Sequence, residues 1–384
     1  SIQCYEDAPA HTEQFGSLTQ GFRLILALTE KYHALVMNPP YMGYRLMNAT
    51  LLKYVTNNYL LYKTDLFSVF MAVSISHLNN NGKYGMINMQ SWMFLPSFSE
   101  LRSEIVREQH IDSLLHLGAH TFDELNGEVV QNVAFVISNN ISGNHGYFYR
   151  LLDGKDCMCK ESLFINNKSS NFRVNQSNFT RLPNMCISYW ATEKVIQDLE
   201  LDTISNIADA RKGNSTSDNN RFLRIWDEVN VKKLAIRYTS VEKANKEGKY
   251  WIPYNKGGGY RRWYGLNEYV VYWKDNGTDI RNCSKSVVTN EKYYMKSGST
   301  WGHINSFKFS TRYFDEGFIF DNAGNCLFAD NEVKYLLNAY LNSCVFQYLS
   351  EFINPTIGFS SGVVAGMPYK FDSARNSLIE QTAK

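Results

Sequence analysis

Long hydrophobic runs are absent from this chain of 384 residues. No stretch of about 18 apolar residues occurs, which is the length that a membrane-spanning helix requires. The first seven residues, SIQCYED, contain neither a basic region nor an apolar core, so they do not resemble a signal peptide. We therefore expect a cytoplasmic protein that has no membrane partner.

Paired cysteines and the usual hydrolase motifs are also absent. Cys157 and Cys159 form the only close pair among seven cysteines, and no second pair or histidine follows at ligand spacing. We expect reduced thiols and no metal site. No Gly-x-Ser-x-Gly motif occurs, and His110, His116 and His120 lie around one predicted strand without metal-ligand spacing. A hydrolase is therefore not supported, and the paired acid–lysine motif of a fused nuclease is not visible.

A glycine-rich nucleotide turn is missing ahead of residue 38. A nucleotide cofactor needs such a turn after the first strand and an acid after the second strand for the ribose hydroxyls. Residues 1–37 contain no strand–Gly-x-Gly–helix pattern, and residues 22–28 instead predict a helix. The chain is thus typical of the second half of a doubly wound sheet, and its cofactor-binding residues stay unassigned.

The central motif is the stretch Ala-Leu-Val-Met-Asn-Pro-Pro-Tyr at residues 34–41. Its first half is a short apolar run that predicts a buried strand. Pro39 and Pro40 remove two backbone donors and fix φ, so the chain must leave the sheet at Asn38. This places an amide, two carbonyls and the Tyr41 ring at the carboxyl end of a strand, where α/β sheets bind ligands. A strand that ends in a proline turn is the simpler interpretation.

These four residues suit chemistry on an amine attached to a flat ring. The amine is a poor nucleophile because its lone pair is delocalised into the ring. The Asn38 side-chain oxygen and the Pro39 carbonyl can each accept one N–H, which turns the lone pair towards an electrophile. Tyr41 offers a face for stacking, worth about 1–3 kcal/mol per base. Asn38, Pro39, Pro40 and Tyr41 are therefore the candidate catalytic residues.

Strand and helix patterns alternate along the first part of the chain, which favours an α/β fold. Asp65 is placed to cap a helix, and residues 79–82 predict a turn. The predicted helices cover residues 51–60, 65–77 and 98–109, and the predicted strands cover residues 83–90, 111–117 and 129–137.

Charge is unevenly distributed. Residues 205–312 contain 20 Lys and Arg against 10 Asp and Glu, whereas the whole chain has 39 against 37. The basic segment at residues 205–312 lies in a chain that is otherwise acidic, which indicates a polyanion partner for that segment. A basic face that is merely exposed to solvent would give the same charge balance.

The second part of the chain predicts a mixed, β-rich domain followed by a C-terminal helix. Residues 211–224 form a polar loop that runs into a strand. Residues 251–264 interleave aromatic and cationic side chains around three glycines, as a phosphate-binding loop or a plain hairpin loop would. Residues 314–320 predict a strand, and residues 333–349 predict one helix with a core stripe at positions 336, 337, 340, 341 and 345. The candidate DNA-binding residues are Arg211, Lys212, Arg221, Arg224, Lys256, Arg261 and Arg262.

Several runs resemble one enzyme family. Residues 36–43, 82–88 and 127–135 are similar to adenine-specific DNA methyltransferases of the gamma motif order. The runs at residues 220–224, 253–259 and 352–359 resemble, more narrowly, the methyltransferases of the BREX phage-defence system.

This resemblance implies a function and a domain order. It implies N6-methylation of a flipped adenine in duplex DNA, with S-adenosylmethionine as cofactor, in phage defence or restriction-modification. Other defence proteins are implied partners. The expected ranges are residues 1–145 for the second half of a Rossmann-like methyltransferase domain, 146–204 for a connector, 205–330 for target recognition and 331–384 for a helical segment.

Two alternatives stay open. The same Asn-Pro-Pro-Tyr motif occurs in enzymes that methylate a glutamine amide of release factors, but those resemble a compact domain that ends soon after the motif. The second alternative is a DNA-recognition fragment without catalytic activity of its own, because the glycine motif for the cofactor is missing.

Overall fold

The chain divides into two compact units, residues 1–190 and 191–384. Each unit has its own sheets and its own buried core. The computed structural model describes residues 12–122, 130–141, 143–166, 168–305 and 308–370.

The first unit is built on a six-stranded mixed sheet, in the order β1-β2-β4-β3-β5-β6. β1 runs parallel to β2 and β3 runs parallel to β5, whereas β4 lies antiparallel between β2 and β3. The α/β fold class is confirmed. The strands are β1 (Tyr32–Met37), β2 (Leu78–Met89), β3 (His110–Gly118), β4 (Asn132–Ser138), β5 (His145–Arg150) and β6 (Ser170–Asn175), and the helices are α1 (Thr12–Thr29), α2 (Ala49–Asn58), α3 (Leu66–Ser76), α4 (Ser99–Glu108) and α5 (Cys157–Ile165).

Helices α2 to α4 lie close to the ranges that the sequence predicted. The Asp65 carboxylate accepts a hydrogen bond from the Phe67 N–H at 3.3 Å, so the predicted cap is confirmed. Phe67 is fully buried and stacks on Phe98 just before α4, with ring centroids 5.6 Å apart. This aromatic pair joins the start of α3 to the start of α4.

Strand β1 exists as predicted, but the expectation that it is buried is wrong. β1 lies at the edge of the sheet among the described residues, and Val36 is 87% exposed. Apolar composition identified the strand but could not say whether a neighbour covers it.

The predicted turn at residues 79–82 is also wrong, because these residues lie inside β2. Tyr32 pairs with Leu78 and Ala34 pairs with Lys83, so five steps along β2 oppose two steps along β1. The extra residues form a bulge, and Asn81 at its centre has φ of +66°. Asparagine tolerates this left-handed conformation, which explains why a turn-like sequence fits within a strand.

Residues 146–204, the predicted connector, include regular strands of the first unit. Strands β5 and β6 extend the first sheet, and the boundary between the two units falls at residues 190 and 191. The function of each predicted range stays a prediction.

The predicted strand at residues 129–137 is observed as β4, and residues 127–129 of the quoted run lie outside the described residues.

The second unit contains a five-stranded sheet in the order β10-β13-β12-β15-β7 and a four-stranded sheet in the order β14-β9-β11-β8. Buried aromatic residues such as Tyr254, Trp273 and Phe320 form its core. The strands are β7 (Ala208–Arg211), β8 (Leu223–Ile225), β9 (Trp251–Asn255), β10 (Trp263–Tyr264), β11 (Tyr269–Tyr272), β12 (Gly298–Gly302), β13 (Arg312–Phe314), β14 (Ile319–Phe320) and β15 (Gly324–Ala329), and the helices are α6 (Glu193–Leu199), α7 (Asn219–Phe222), α8 (Val241–Lys246), α9 (Thr278–Arg281), α10 (Lys334–Leu341), α11 (Cys344–Ile353) and α12 (Ser361–Ala365).

Two predictions for this unit need correction. The single strand predicted at residues 314–320 is split into β13 and β14, since Gly317 turns the chain with φ of +102°. The plain hairpin loop considered for residues 251–264 is wrong, because β9 and β10 belong to different sheets.

The single helix predicted at residues 333–349 is two helices, α10 and α11. The Ser343 hydroxyl accepts a hydrogen bond from the Phe346 N–H at 3.1 Å and thereby starts a new helix. Because the helix restarts there, Val345 leaves the predicted core stripe and is 54% exposed. Leu336, Leu337 and Leu341 are buried as predicted. Within the described ranges, no helix is long and apolar enough to cross a membrane.

The break between α10 and α11 generates a stability prediction. Asn342 is buried, and its amide donates to the Thr311 carbonyl at 2.9 Å and accepts from the Thr311 N–H at 3.0 Å. Asn342→Ala leaves both groups of the buried Thr311 without these partners. We expect the free energy of unfolding to fall by about 2–3 kcal/mol, measured by urea denaturation. Asn282→Ala, at an exposed position, should change it by less than about 0.5 kcal/mol. Equal effects would contradict the assigned role of Asn342.

Candidate functional site

The Asn-Pro-Pro-Tyr segment lies at the carboxyl edge of the first sheet. β1 ends at Met37, and the next two residues are the exposed Asn38 and the buried Pro39. The sheet pairings bring the ends of β2 and β3 and the start of β4 to this same edge. The structure therefore places the predicted residues Asn38, Pro39, Pro40 and Tyr41 at the edge where β1, β2 and β3 end and β4 begins.

The Tyr41 side chain is held by the start of β4. Asn132 Nδ2 donates to the Tyr41 hydroxyl at 3.0 Å and lies 3.3 Å from the Asn88 carbonyl. The edge of one ring meets the face of the other where Tyr41 contacts Phe67, with centroids 6.3 Å apart. Burial raises the pKa of Tyr41, while the hydrogen bond from Asn132 acts in the opposite direction. The hydroxyl is therefore protonated at neutral pH and the ring orientation is fixed at both ends.

The backbone that follows Tyr41 is held by the first turn of α3. The Met42 N–H donates to Asp65 Oδ1 at 2.9 Å, and the Leu66 N–H donates to the Met42 carbonyl at 2.9 Å. Burial raises the pKa of Asp65, and its backbone hydrogen bonds oppose that shift. Asp65 thus serves both as a helix cap and as an anchor for the motif.

Sequence reasoning missed the roles of Asn132 and Asp65 at this site. Asn132 lies in a run quoted for its resemblance, and the available signal was a polar amide at the start of an otherwise apolar strand. Asp65 was recognised only as a cap. Both act through partners that sequence spacing alone does not reveal.

A second polar network lies at the same edge around His116. His116 Nε2 is 2.7 Å from Gln90 Oε1, and His116 Nδ1 is 3.0 Å from the Tyr189 hydroxyl. Gln90 also donates to the side chain of Gln131, which precedes β4. His116 is 1% exposed, and burial, with a smaller contribution from the charge of Arg150, lowers its pKa to about 3. His116 is therefore a neutral structural bridge rather than a proton carrier at neutral pH.

The cations predicted in the glycine loop have different environments. Lys256 Nζ pairs with the buried Asp321 at 2.7 Å, and Asp321 also accepts from the Tyr254 hydroxyl at 3.0 Å. Arg261 is exposed, and Arg262 lies over the Tyr260 ring with 5.6 Å from its guanidinium carbon to the ring centroid. The charge of Lys256 is thus already neutralised, whereas Arg261 lies at the surface of the loop and Arg262 is half-buried.

The other four predicted cations lie around the loop between β7 and β8. Arg211 pairs with Asp209 and lies over the Tyr293 ring, at 5.3 Å from the centroid. Arg224 donates to the Asn220 carbonyl at 2.6 Å. Lys212 and Arg221 are exposed. The structure therefore leaves Lys212 and Arg221 as the more accessible charges of this group.

Within the described residues, no group of three His, Cys, Asp or Glu side chains is placed to hold a metal ion. The described residues beside β1 also include no strand followed by a glycine turn, so this part of the chain does not fit the adenosine portion of S-adenosylmethionine. We derive no step through that group.

Comparison with known proteins identifies a class of enzyme. Residues 3–122 match the family model described as Eco57I restriction-modification methylase. Adenine-specific methyltransferase PglX of Lacticaseibacillus casei (strain Zhang) is 38% identical over 359 residues, which cover 89% of this chain and 30% of that protein. Adenine-specific methyltransferase BrxX of Escherichia coli O9:H4 (strain HS) is 35% identical over 363 residues, which cover 93% of this chain and 29% of that protein.

The chain belongs to the BREX adenine methyltransferase family that contains PglX and BrxX, and the resemblance noted from its motifs is confirmed. It spans about 30% of the length of these curated relatives.

Solved structures agree on the fold. The type IIL restriction-modification enzyme MmeI, determined in complex with DNA, has a TM-score of 0.61 at 12% identity and covers 91% of this chain and 48% of its own. A nuclease-deletion mutant of the type ISP enzyme LlaGI, determined in complex with a DNA substrate mimic, has a TM-score of 0.56 at 11% identity. The match covers 100% of this chain and 37% of the LlaGI chain. At these identities the likeness shows the fold alone.

The buried His116 generates a prediction about acid stability. Its pKa of about 3 in the folded protein lies below the ordinary histidine value of 6.5, so the unfolded chain takes up a proton below about pH 6.5 while the folded chain does not. Stability should therefore fall as the pH falls, with His116 contributing a loss of about 2 kcal/mol between pH 7 and pH 5. Urea denaturation at the two pH values measures it.

His116→Gln removes the titrating group and should reduce this pH-dependent loss. The matched control is His33→Gln, at an exposed position on β1, which should leave the loss unchanged. An identical pH dependence in the wild-type protein and His116→Gln would contradict the assignment.

Proposed function

We propose that this chain is part of a site-specific DNA N6-adenine methyltransferase, which transfers a methyl group from S-adenosylmethionine to an adenine flipped out of duplex DNA. The observation that carries the proposal is the Asn38–Tyr41 segment at the carboxyl edge, with the Tyr41 ring fixed by Asn132. The names of PglX and BrxX, both adenine-specific methyltransferases, support it. The process served is phage defence or restriction-modification, with other defence proteins as partners.

The acceptor chemistry follows from groups that this chain supplies. The side-chain oxygen of Asn38 and the Pro39 carbonyl accept the two N–H bonds of the adenine amine, which directs its lone pair out of the ring plane. Because the adenine nitrogen would gain positive charge on taking up a methyl group, these two acceptors would stabilise the transition state more than the bound adenine.

Tyr41 holds the flipped base rather than exchanging protons. Its ring stacks on adenine, and flipping, which costs a few kcal/mol, is offset partly by that stacking. Asn132 and Phe67 keep the ring in one orientation before the base arrives. Preorganisation of this kind lowers the cost of binding.

The methyl donor requires further protein surface. We propose that the first sheet is the second half of a Rossmann-like methyltransferase sheet and that the donor half pairs with the exposed edge of β1. The edge position of β1 among the described strands supports this, and the 87% exposure of Val36 shows that this part of the strand is also uncovered.

The second unit is proposed to bind duplex DNA. Arg261 at the glycine loop, together with Lys212 and Arg221, provides accessible charge for phosphates, and the half-buried Arg262 lies beside Arg261. Lys256 is excluded from this role because its ion pair with the buried Asp321 holds the base of the loop. The DNA complexes of MmeI and LlaGI support a nucleic-acid partner for this fold.

A DNA-recognition fragment without its own catalytic activity is the second candidate. The absence of a glycine turn beside β1 in the described residues favours it. Single-turnover methyl transfer by the intact enzyme distinguishes the two, because Asn38→Ala slows that reaction only if this chain takes part in catalysis.

The acceptor role of Asn38 is tested in the intact enzyme. Asn38→Ala should slow single-turnover methyl transfer by about 10²–10³ fold, because one transition-state contact is lost. Folding and most of the DNA affinity should be retained, since Asn38 is exposed and meets the base only after flipping. Methylation at a near-normal rate would reduce the motif to a proline turn.

Two Tyr41 variants separate stacking from positioning in the same assay. Tyr41→Ala should weaken capture of the flipped base, whereas Tyr41→Phe keeps the ring and should have a mild effect. Any decrease in the methylation rate of Tyr41→Phe measures the contribution of the hydrogen bond from Asn132 to the Tyr41 hydroxyl.

The DNA interface generates a salt-dependence prediction. Each phosphate contact adds about 0.9 to the slope of log affinity against log salt, so Arg261→Gln with Arg262→Gln should reduce the slope by about 2. Fluorescence anisotropy with duplex DNA at several salt concentrations measures it. Lys194→Gln is the control, because this exposed lysine pairs with Asp198 outside the basic region. If the slope does not change, the glycine loop faces away from DNA.

A further inference from the structure

The tip of the glycine loop presents three large aromatic side chains to solvent. Tyr260 is 46% exposed, Trp263 is 52% exposed and Tyr264 is 53% exposed, all within five residues. Side chains of this size are usually covered, and a cluster of exposed aromatic rings marks a binding surface. We call residues 260–264 the aromatic tip.

The backbone at the aromatic tip is strained. The Tyr264 N–H donates to the Arg262 carbonyl at 3.0 Å, and the residue between them, Trp263, has φ of +73°. This hydrogen bond between residues i and i+2 defines the γ-turn with positive φ, a rare and unfavourable conformation. It is especially uncommon for a bulky side chain. Such strain persists where surrounding contacts enforce it, and it clusters at functional sites.

The contacts that enforce the strain come from buried residues beneath the tip. Arg312 is 1% exposed, and its Nη2 donates to the Gly257 carbonyl at 2.6 Å. Gly257 has φ of +91°, and a Cβ there would lie 2.5 Å from the Ala323 carbonyl oxygen. At the other end, the Trp263 N–H donates to the Thr311 carbonyl at 3.2 Å. The aromatic tip is therefore a fixed feature of the second unit.

The charges around the tip indicate which molecule it contacts. Residues 256–265 carry three cations and no acid, and Arg262 lies over the Tyr260 ring. Aromatic faces bordered by guanidinium groups suit nucleic-acid bases and their phosphates, because every base has a face that stacks. A purely apolar protein surface would not require the flanking arginines.

We propose that Trp263, supported by Tyr264, stacks on DNA bases that have lost their pairing. This deepens the proposed function and rests on it, since flipping an adenine leaves bases unpaired. The arginines supply affinity for phosphate, while the ring of Trp263 supplies a preference for opened DNA over paired DNA.

The test uses the 384-residue chain and two short duplexes, one fully paired and one with a single unpaired base. Trp263→Ala should weaken binding of the second duplex by about 10-fold and leave the salt slope unchanged. Trp263→Phe keeps a stacking ring and should stay within about threefold. Quenching of tryptophan fluorescence by DNA should be lost in Trp263→Phe.

Trp263→Gly separates recognition from a structural role. Glycine adopts positive φ without strain, so this variant should melt at the same temperature or higher while it binds the unpaired duplex as weakly as Trp263→Ala. Trp226→Ala is the matched control, because Trp226 is 51% exposed in the same unit but is followed by Asp227 and Glu228. It should bind both duplexes normally.

The outcomes distinguish this inference from the proposed function. If the wild-type chain binds DNA and Trp263→Ala binds both duplexes equally well, the stacking role is wrong and the DNA interface stands. Equal weakening for both duplexes together with a lower melting temperature would assign Trp263 to the fold. If the wild-type chain binds neither duplex, both the stacking role and the proposed DNA interface are overturned.

Discussion

The hydrogen bond from Asn132 to Tyr41 joins the two parts of the sheet edge on which the site depends. One partner follows the end of β1 and the other begins β4, and 91 residues separate them in the chain. Proline at positions 39 and 40 forces the backbone out of the sheet, but it does not fix the direction of the next side chain. Asn132 fixes that direction, and Asp65 fixes the backbone one residue later.

The second unit uses the same physical arrangement at its glycine loop. Exposed cations and aromatic rings lie at the tip, while buried polar side chains hold the base of the loop. Arg312 binds the Gly257 carbonyl, and Asp321 pairs with Lys256. In both units a buried polar contact, which would be costly to leave unpaired, fixes the surface groups of the candidate site.

Local signals in the sequence were enough to predict several elements. The proline pair located the end of β1, and Asp65 marked the start of α3. What local signals could not predict depends on distant partners. From the sequence, Lys256 is predicted to be a phosphate-binding cation. In the structure its charge is neutralised by Asp321, which lies 65 residues further along the chain. The exposure of Val36 likewise follows from which strands are neighbours in space, whereas the break at Ser343 is a local helix cap that the apolar spacing concealed.

Photochemical crosslinking tests the central claim most directly. Sequencing the methylated genome gives the target sequence, and 5-iodouracil then replaces the target adenine in a duplex bound to the intact enzyme. Irradiation joins the modified base to the aromatic ring stacked on it, and mass spectrometry identifies the peptide. We predict that the crosslink falls on Tyr41 and that Asn132→Leu lowers its yield. A crosslink elsewhere in the protein, with none at Tyr41, would contradict the placement of the adenine at this edge.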